Sequence, residues 1–413
     1  MNKIVFTNAR LFDGESETLR SGAVRVAGAV IEAVGESVAA EGAEVIDCGG
    51  RVLMPGLIDA HVHVYAASLN LGRLAQTLLS YLAHFAARFL KQSLDRGFTT
   101  LRDAGGADVG LATAIKEGLL GLVPRLFYGG RVISQTGGHG DFRPGDHALD
   151  DHVPCGCAAH ADVFAILADG ADSVRRAVRT ELRRGAHHIK VMGSGGVVSP
   201  TDPLERCQYS DAELIAAVEE AERAGAYVMT HCHPAEAIRR SAEFGVRSIE
   251  HATLIDGPTA DYVAQRGAFT VPTMATLFAL LDQGAQLGLP PVSMDKLRRI
   301  GDHALSGLEI MRAAGVRMGL GTDLLGALTE RQSSEFTLRA QVLPAIDILR
   351  AATSTGAAIL GQTGTLGCLR PGAAADLIVV DGNPLDDIAL LASGGAHLTV
   401  IMAAGQFHKR ANA

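Results

Sequence analysis

The sequence predicts an α/β protein: a (β/α)8 TIM barrel with a small β-sandwich built from both ends of the chain. Three observations predict it. Through the middle, short apolar strand-like runs alternate with helical runs. At either end the pattern changes to short strands separated by glycine turns. The length, 413 residues, exceeds one small domain and suits a barrel, for which roughly 250 residues are typical, plus a smaller module.

The opening stretch alternates with period two over residues 3–7, 23–27, 31–34 and 44–47, with turns at Phe12-Asp13-Gly14 and Cys48-Gly49-Gly50. The closing stretch repeats the pattern over 375–381 and 398–403, with a turn at Ala404-Gly405. Two such stretches around a long middle predict one sandwich from residues 1–54 and 364–413, and a barrel from 55–363. The expected barrel strands are 56–62, 99–103, 125–133, 188–192, 227–231, 248–251, 269–272 and 318–323. Helical runs between them include 173–184, 211–224 and 294–314; Ser210 or Asp211 followed by Glu213 caps the second.

Composition excludes several function classes. The chain is 47% hydrophobic and 20% charged, ordinary for a folded soluble protein, and rich in glycine, which suits tight strand–helix loops. The net charge is -8 with no Lys/Arg block, so nucleic-acid binding has no support. Residues 1–14 read as strand and turn rather than a secretory leader, and no run of about 18 apolar residues predicts a membrane span. Six cysteines do not form a dense framework; reduced thiols and a cytoplasmic location are expected. The cluster of His152, Cys155, Cys157 and His160 lacks the usual structural zinc spacings and is expected to be a loop near the substrate.

The chemistry lies where the strands end, because the C-terminal strand ends of such a barrel line its active site. The first strand ends in His61 and His63, two apart and so on one face of an extended chain. The fourth carries Lys190, the fifth ends in His231 and His233, the sixth in His251, and the eighth in Asp323. One strand ending in His is unremarkable, and His-x-His alone is a weak metal signal. Several such ends at one barrel mouth are hard to explain by packing. Lys190 stands in an apolar strand, Ile189-Lys190-Val191-Met192. Burial lowers a lysine's pKa and favours the neutral amine, which can react with carbon dioxide to give an anionic carbamate. Asp323 closes Gly319-Leu320-Gly321-Thr322-Asp323, a tight backbone approach to a polar tip; by itself it can equally cap the next helix.

These residues carry a resemblance. The run Val52-Leu53-Met54-Pro55-Gly56-Leu57-Ile58-Asp59-Ala60-His61-Val62-His63 resembles the opening motif of the amidohydrolase superfamily. The 366–381 stretch, with Arg370-Pro371-Gly372 and Ala375-Asp376-Leu377, resembles its closing motif, and Gly319 to Asp323 resembles its last metal ligand. The resemblance implies two divalent ions, expected to be zinc. His61, His63 and Asp323 would hold one, His231 and His251 the other, and carboxylated Lys190 would bridge them. It implies that an activated water attacks the scissile carbonyl, with Asp323 as general base and then proton donor to the leaving amine. Single-metal deaminases of the superfamily lack a ligand lysine at this place and carry a catalytic glutamate after the fifth strand. Here Lys190 is present and no glutamate follows His231 until Glu236.

Two stretches narrow the substrate. Residues 134–141, with Gly137-Gly138-His139-Gly140, and residues 190–197, with Gly193-Ser194-Gly195-Gly196-Val197, are similar to the branch of metal-dependent prolidases and carboxypeptidases and to ochratoxin-hydrolysing amidohydrolases. Release of a C-terminal amino acid from a dipeptide, an N-acyl amino acid or an ochratoxin-like aryl amide is therefore expected, in a homo-oligomer as large as an octamer. Gly193 to Val197 can present consecutive N–H groups to a carboxylate as an anion nest. His139 can hydrogen-bond the substrate carboxylate or carbonyl. His233, on the same side as His231, can polarise the carbonyl oxygen; prolidase-like members often carry tyrosine there. Val197, Val198, Leu324 and Leu325 can supply apolar walls, favouring an apolar or aromatic leaving amino acid, although Asp202 and Glu205 can greet a basic one. Arg102, at the end of the second strand, can brace the metal shell or form a structural ion pair. The alternatives are a mononuclear deaminase or cyclic-amide hydrolase, a non-catalytic scaffold on this fold, or a metal-binding module.

Overall fold

The structure is a computed structural model that describes residues 3–75, 77–143, 164–199 and 202–410. The His152/Cys155/Cys157/His160 cluster lies outside the described residues. Five strands open the chain: β1 (Lys3–Leu11), β2 (Arg20–Ala27), β3 (Val30–Gly35), β4 (Glu44–Asp47) and β5 (Val52–Pro55). The middle contains β6 (Leu57–Val62), β7 (Phe98–Asp103), β8 (Arg125–Tyr128), β9 (Val132–Ser134), β10 (Ala165–Leu167), β11 (Ile189–Met192), β12 (Val228–Pro234), β13 (Ser248–Leu254), β14 (Phe269–Val271) and β15 (Arg317–Met318). β16 (Leu377–Val380), β17 (Leu398–Ala403) and β18 (Gln406–Arg410) close the chain.

The end strands share one eight-stranded sheet in the order β18-β17-β16-β5-β1-β2-β3, with β4 also on β1. Its centre joins the two termini: β16 pairs antiparallel with β5 and β5 pairs parallel with β1. Side chains of a strand alternate between faces, and here the alternation splits two cores. Leu53, Leu377, Val379, Val400 and Met402 enter a cluster with Phe6, Leu11 and Val24. Their neighbours Val52, Met54, Ile378, Val380 and Ile401 enter the main core with Leu94 and Phe98. Both faces of the central strands are therefore buried, which explains their unbroken apolar sequence.

The middle strands form two all-parallel sheets, β10-β9-β11-β12-β13-β14-β15 and β6-β7-β8. Parallel strands need crossovers, which the helices supply. Backbone hydrogen bonds link the edge strands of the three-stranded sheet to residues that flank the seven-stranded one. Ala60 N donates to Leu320 O (2.7 Å) and Asp323 N to His61 O (2.8 Å), beside β6; His187 N donates to Tyr128 O (2.9 Å), beside β8. The charged and polar ends of β6, β11, β12 and β13 lie at the C-terminal side of the strands, where the site forms.

Two expected strands differ. The 125–133 run is two strands, β8 and β9, because Gly129-Gly130 interrupts it. Gly130 has φ 72°, and a Cβ there would lie 2.2 Å from the Glu181 carboxylate, which accepts the Arg131 N–H at 3.0 Å. Of the 318–323 run only Met318 lies in a strand, β15, since Leu320 to Asp323 turns to bond β6 instead. β12 and β13 run three residues beyond the expected ends, so His233 lies within β12. The helices expected at 173–184, 211–224 and 294–314 are Ala171–Arg183, Asp211–Arg223 and Pro291–Ala313. Glu213 accepts the Ser210 N–H at 2.7 Å, the expected cap, and the third helix starts earlier because proline is tolerated at its first positions. No helix among the described residues is long and apolar enough to cross a membrane.

Candidate metal centre and substrate cleft

The strand ends bring His61, His63, Lys190, His231, His251 and Asp323 to the floor of one cleft, with His139 and His233 beside them. The imidazoles are crowded: ring centroids are 5.1 Å apart for His61 and His251, 4.6 Å for His231 and His251, and 5.4 Å for His61 and His63. Burial holds His231 and His251 well below the usual histidine pKa, so both are neutral and offer lone pairs.

What holds the far nitrogen of each ring decides what the near one offers. His61 Nδ1 lies 2.7 Å from Glu250 Oε2, and a carboxylate only accepts, so this nitrogen carries the proton. His61 Nε2 faces the other way, buried without a hydrogen bond, 3.4 Å from Asp323 Oδ1. His63 repeats the arrangement: Nδ1 donates to Gly105 O (2.8 Å), and Nε2 lies 3.2 Å from the same Asp323 oxygen. Either nitrogen can face the carboxylate favourably only as an N–H donor or with a cation between them. His251 Nδ1 is held by Thr273 Oγ1 at 2.8 Å. Ligand atoms of His61, His251 and Asp323 lie within 4.8 Å of one another, a group that can hold a metal ion. Burial raises the Asp323 carboxyl, but His61 and His63 outweigh it and hold the group well below the usual carboxylate range.

Local backbone permits this crowding. His251 and Asp323 both have left-handed backbone, φ 69° and 53°, rare for non-glycine residues. Adjacent residues of a regular strand face opposite sides. The turn at His251 and Ala252 lets Glu250 and His251 serve the same cluster. Lys190 is only 2% exposed, and burial lowers its pKa towards the neutral amine against the pull of Glu250 and Asp323.

Sequence reasoning missed Glu250. Its carboxylate binds Arg102 Nη2 at 3.0 and 3.1 Å as well as His61, and the Arg102 Nε donates to Ala60 O at 2.5 Å. Burial alone would raise its pKa; Arg102 and His61 bring it to about 2, so it is an anion at neutral pH. Arg102 thus forms an ion pair that also braces the centre. Asp59 was missed too: it accepts from His61 N (3.2 Å), Thr322 N (3.1 Å) and Thr322 Oγ1 (2.6 Å). The available signal was the one used for Lys190, a charged residue in an apolar strand.

Beside the floor, His233 Nδ1 lies 2.7 Å from Thr253 Oγ1, and burial takes its pKa to about 3. His139 stacks on His231 with centroids 4.2 Å apart; its Nδ1 meets Ser199 Oγ at 2.6 Å. Val197, Val198 and Leu325 line the cleft, with Phe142, Phe164, Leu277, Leu280, Leu297 and Ile300. Leu324 is buried outside the lining.

The glycines do not form the expected anion nest. Their N–H groups are spent: Gly193 on His231 O (2.9 Å), Gly195 on Arg206 O (3.0 Å), Gly196 on Asp202 Oδ2 (3.0 Å). They are needed for close packing instead. A Cβ on Gly195 would lie 2.0 Å from Pro203 O, and one on Gly196 would lie 2.1 Å from His139 Cε1. Nor do Asp202 and Glu205 face the cleft. Asp202 is buried against Ser199, and Glu205 pairs with Arg299 at the surface. Among the described residues, Asp323 is the sole carboxylate lining the cleft.

Known proteins resemble this chain over most of its length. The chain matches the amidohydrolase family over residues 52–406. It is 43% identical to a prolidase solved with N-methylphosphonate-L-proline, with a TM-score of 0.95 over 99% of this chain and 100% of the other. It is 31% identical to an ochratoxinase of Aspergillus niger over 92% of this chain and 81% of the relative. A Xaa-Pro dipeptidase solved with methionine in its active site is 28% identical, with a TM-score of 0.86 over 99% and 100% of the two chains. The chain belongs to the amidohydrolase family.

Proposed function

We propose that this chain is a metal-dependent amide hydrolase that releases an apolar or aromatic C-terminal amino acid from a dipeptide, an N-acyl amino acid or an ochratoxin-like aryl amide. The observation that carries this is the floor of the cleft, where two imidazole nitrogens face one carboxylate oxygen beneath apolar walls. The prolidase, dipeptidase and ochratoxinase neighbours support an amide or peptide bond as the target. The fold proposed with it is one (β/α)8 barrel closed from the two parallel sheets over residues 55–363. It carries a sandwich of residues 1–54 and 364–413, and the hydrogen bonds at Ala60 and His187 support the closure.

In this reading His61, His63, Asp323, His231 and His251 would hold two divalent ions, with Lys190, as a carbamate, a further ligand. Zinc suits the imidazole and carboxylate donors. Bound there, the ions supply Lewis acidity, lowering the pKa of a water and polarising the scissile carbonyl. Asp323, kept ionised by its histidine neighbours, takes a proton from the attacking water and passes it to the leaving amine. His233, neutral at pH 7, donates Nε2–H to the carbonyl oxygen when the Thr253 hydroxyl donates to its Nδ1. His139 contacts the substrate carboxylate. The apolar walls, with Asp202 and Glu205 engaged elsewhere, favour an apolar or aromatic side chain on the leaving amino acid.

The test is a panel of N-acyl amino acids and dipeptides that differ only in the C-terminal residue, with amine release measured. Phenylalanine- and leucine-type residues should be released faster than lysine or aspartate. Asp323→Asn should lower kcat on the best substrate by about 10²–10⁴-fold. No turnover of any C-terminal amide would sink the substrate reading, and full activity of Asp323→Asn would sink the base assignment.

A further inference from the structure

Lys296 lies on the helix Pro291–Ala313 and is 8% exposed. Its ammonium donates to three backbone carbonyls: Gly196 O at 2.9 Å, Ser199 O at 2.7 Å and Asp202 O at 2.5 Å. That uses every donor an ammonium has. The Asp202 Oδ1 atom is 3.9 Å away. Burying a charge is expensive, and an apolar contact would attach a helix to a loop at lower cost. Three convergent donors do what an apolar contact does not: they fix the position of three carbonyls along one segment.

That segment, which follows β11, holds His139. Ser199 Oγ accepts from His139 Nδ1 (2.6 Å) and its own hydroxyl donates to Asp202. Asp202 Oδ2 lies 3.4 Å from the same ring nitrogen, accepts the Gly196 N–H (3.0 Å) and accepts the Gln208 amide (3.3 Å). Gln208 accepts the backbone N–H of His139 at 3.0 Å. Gly196 sits so close to the ring that a Cβ there would lie 2.1 Å from His139 Cε1. On the same helix the next residue, Leu297, and Ile300, one turn along, form part of the cleft wall.

We propose that Lys296 is a positioning residue for the substrate. By tying the Gly196, Ser199 and Asp202 carbonyls to the helix, it sets the His139 ring and the Leu297/Ile300 wall at a fixed distance across the cleft. The inference rests on the reading of His139 as a substrate contact.

Four proteins test it: wild type, Lys296→Met, His139→Asn and the double variant, each assayed for kcat and KM on the best substrate of the panel. Lys296→Met keeps the stem and removes the donors. It should raise KM roughly tenfold with a smaller change in kcat. In the His139→Asn background the same change should raise KM by less than about twofold, because coupled residues are not additive. An unchanged KM in Lys296→Met, or an equal effect in both backgrounds, overturns the proposal while the His139 reading stands. A His139→Asn variant with wild-type kcat and KM overturns that reading and the proposal with it. Should Lys296→Met melt below the assay temperature, Lys296→Gln, whose shorter neutral amide cannot reach all three carbonyls, carries the same cycle with the same outcomes.

Discussion

His61 is fixed by two residues that never reach the cleft. Glu250 accepts from its Nδ1 at 2.7 Å, and Arg102 holds Glu250 through both carboxylate oxygens. All three are fully buried, so the chain has little freedom to reorient. Exchange of the carboxylate for an amide removes the negative charge that both His61 and Arg102 need. We expect Glu250→Gln to weaken metal binding by about 10–100-fold, as for other partners of ligand histidines. It should also destabilise the fold by roughly 3–5 kcal/mol, because Arg102 is left as an unpaired buried charge. Metal content after dialysis against a graded chelator, together with a thermal melt, reads both effects; wild-type metal affinity would mean that His61 is oriented without Glu250. The residues on the cleft floor were legible in the sequence because each ends a strand in a polar side chain. Glu250 was not, because it precedes His251 and alternation assigns it to the other face. The left-handed backbone at His251 cancels that assignment, and nothing in the sequence around this histidine marks a positive φ.

At the scale of an element, Gly319 to Asp323 shows what a short motif can and cannot reveal. Its glycines announced a close backbone approach, and the approach is to β6: Ala60 N bonds Leu320 O at 2.7 Å and Asp323 N bonds His61 O at 2.8 Å. Asp59 locks the same junction by accepting from Thr322 N at 3.1 Å and Thr322 Oγ1 at 2.6 Å. What the motif did not show is that the ladder stops at Met318, because that depends on a partner far away in sequence. The run Gly193 to Val197 misled for a related reason. Glycines that open a backbone to an anion and glycines that let side chains approach look alike until their N–H partners are known. The junction can be tested at Gly321, where a Cβ would lie 2.4 Å from Val271 Cγ1 and 2.7 Å from His61 Cβ. Gly321→Ala should cost about 1–3 kcal/mol through overpacking and push His61 away from Asp323. A lower melting temperature with reduced metal content is the expected pair of results; an unchanged metal content would mean that the clash is relieved towards Val271 alone.

Across the whole molecule, the division between a terminal sheet and a parallel-stranded middle was legible from periodicity, but their shared core was not. The sequence shows Val52 to Pro55 and Leu377 to Val380 as apolar runs without naming what lies on each face. In the structure, alternate residues of these strands belong to different clusters, and Ile378, Val380 and Ile401 pack with Leu94 and Phe98 in the main core. The terminal sheet is therefore not a detachable module: unfolding it would expose the base of the core that carries β7. The two parts should melt together, in one transition whose calorimetric and van't Hoff enthalpies agree. Ile401 is fully buried in the shared core, on β17 of the terminal sheet. Ile401→Ala should cost about 2–5 kcal/mol, the usual range for deleting a buried aliphatic side chain. If the core is shared, differential scanning calorimetry will show the whole transition moving to lower temperature while remaining single. If the sheet is independent, the same substitution will split off an early, smaller peak and leave the remaining transition where it was, and the shared-core account fails.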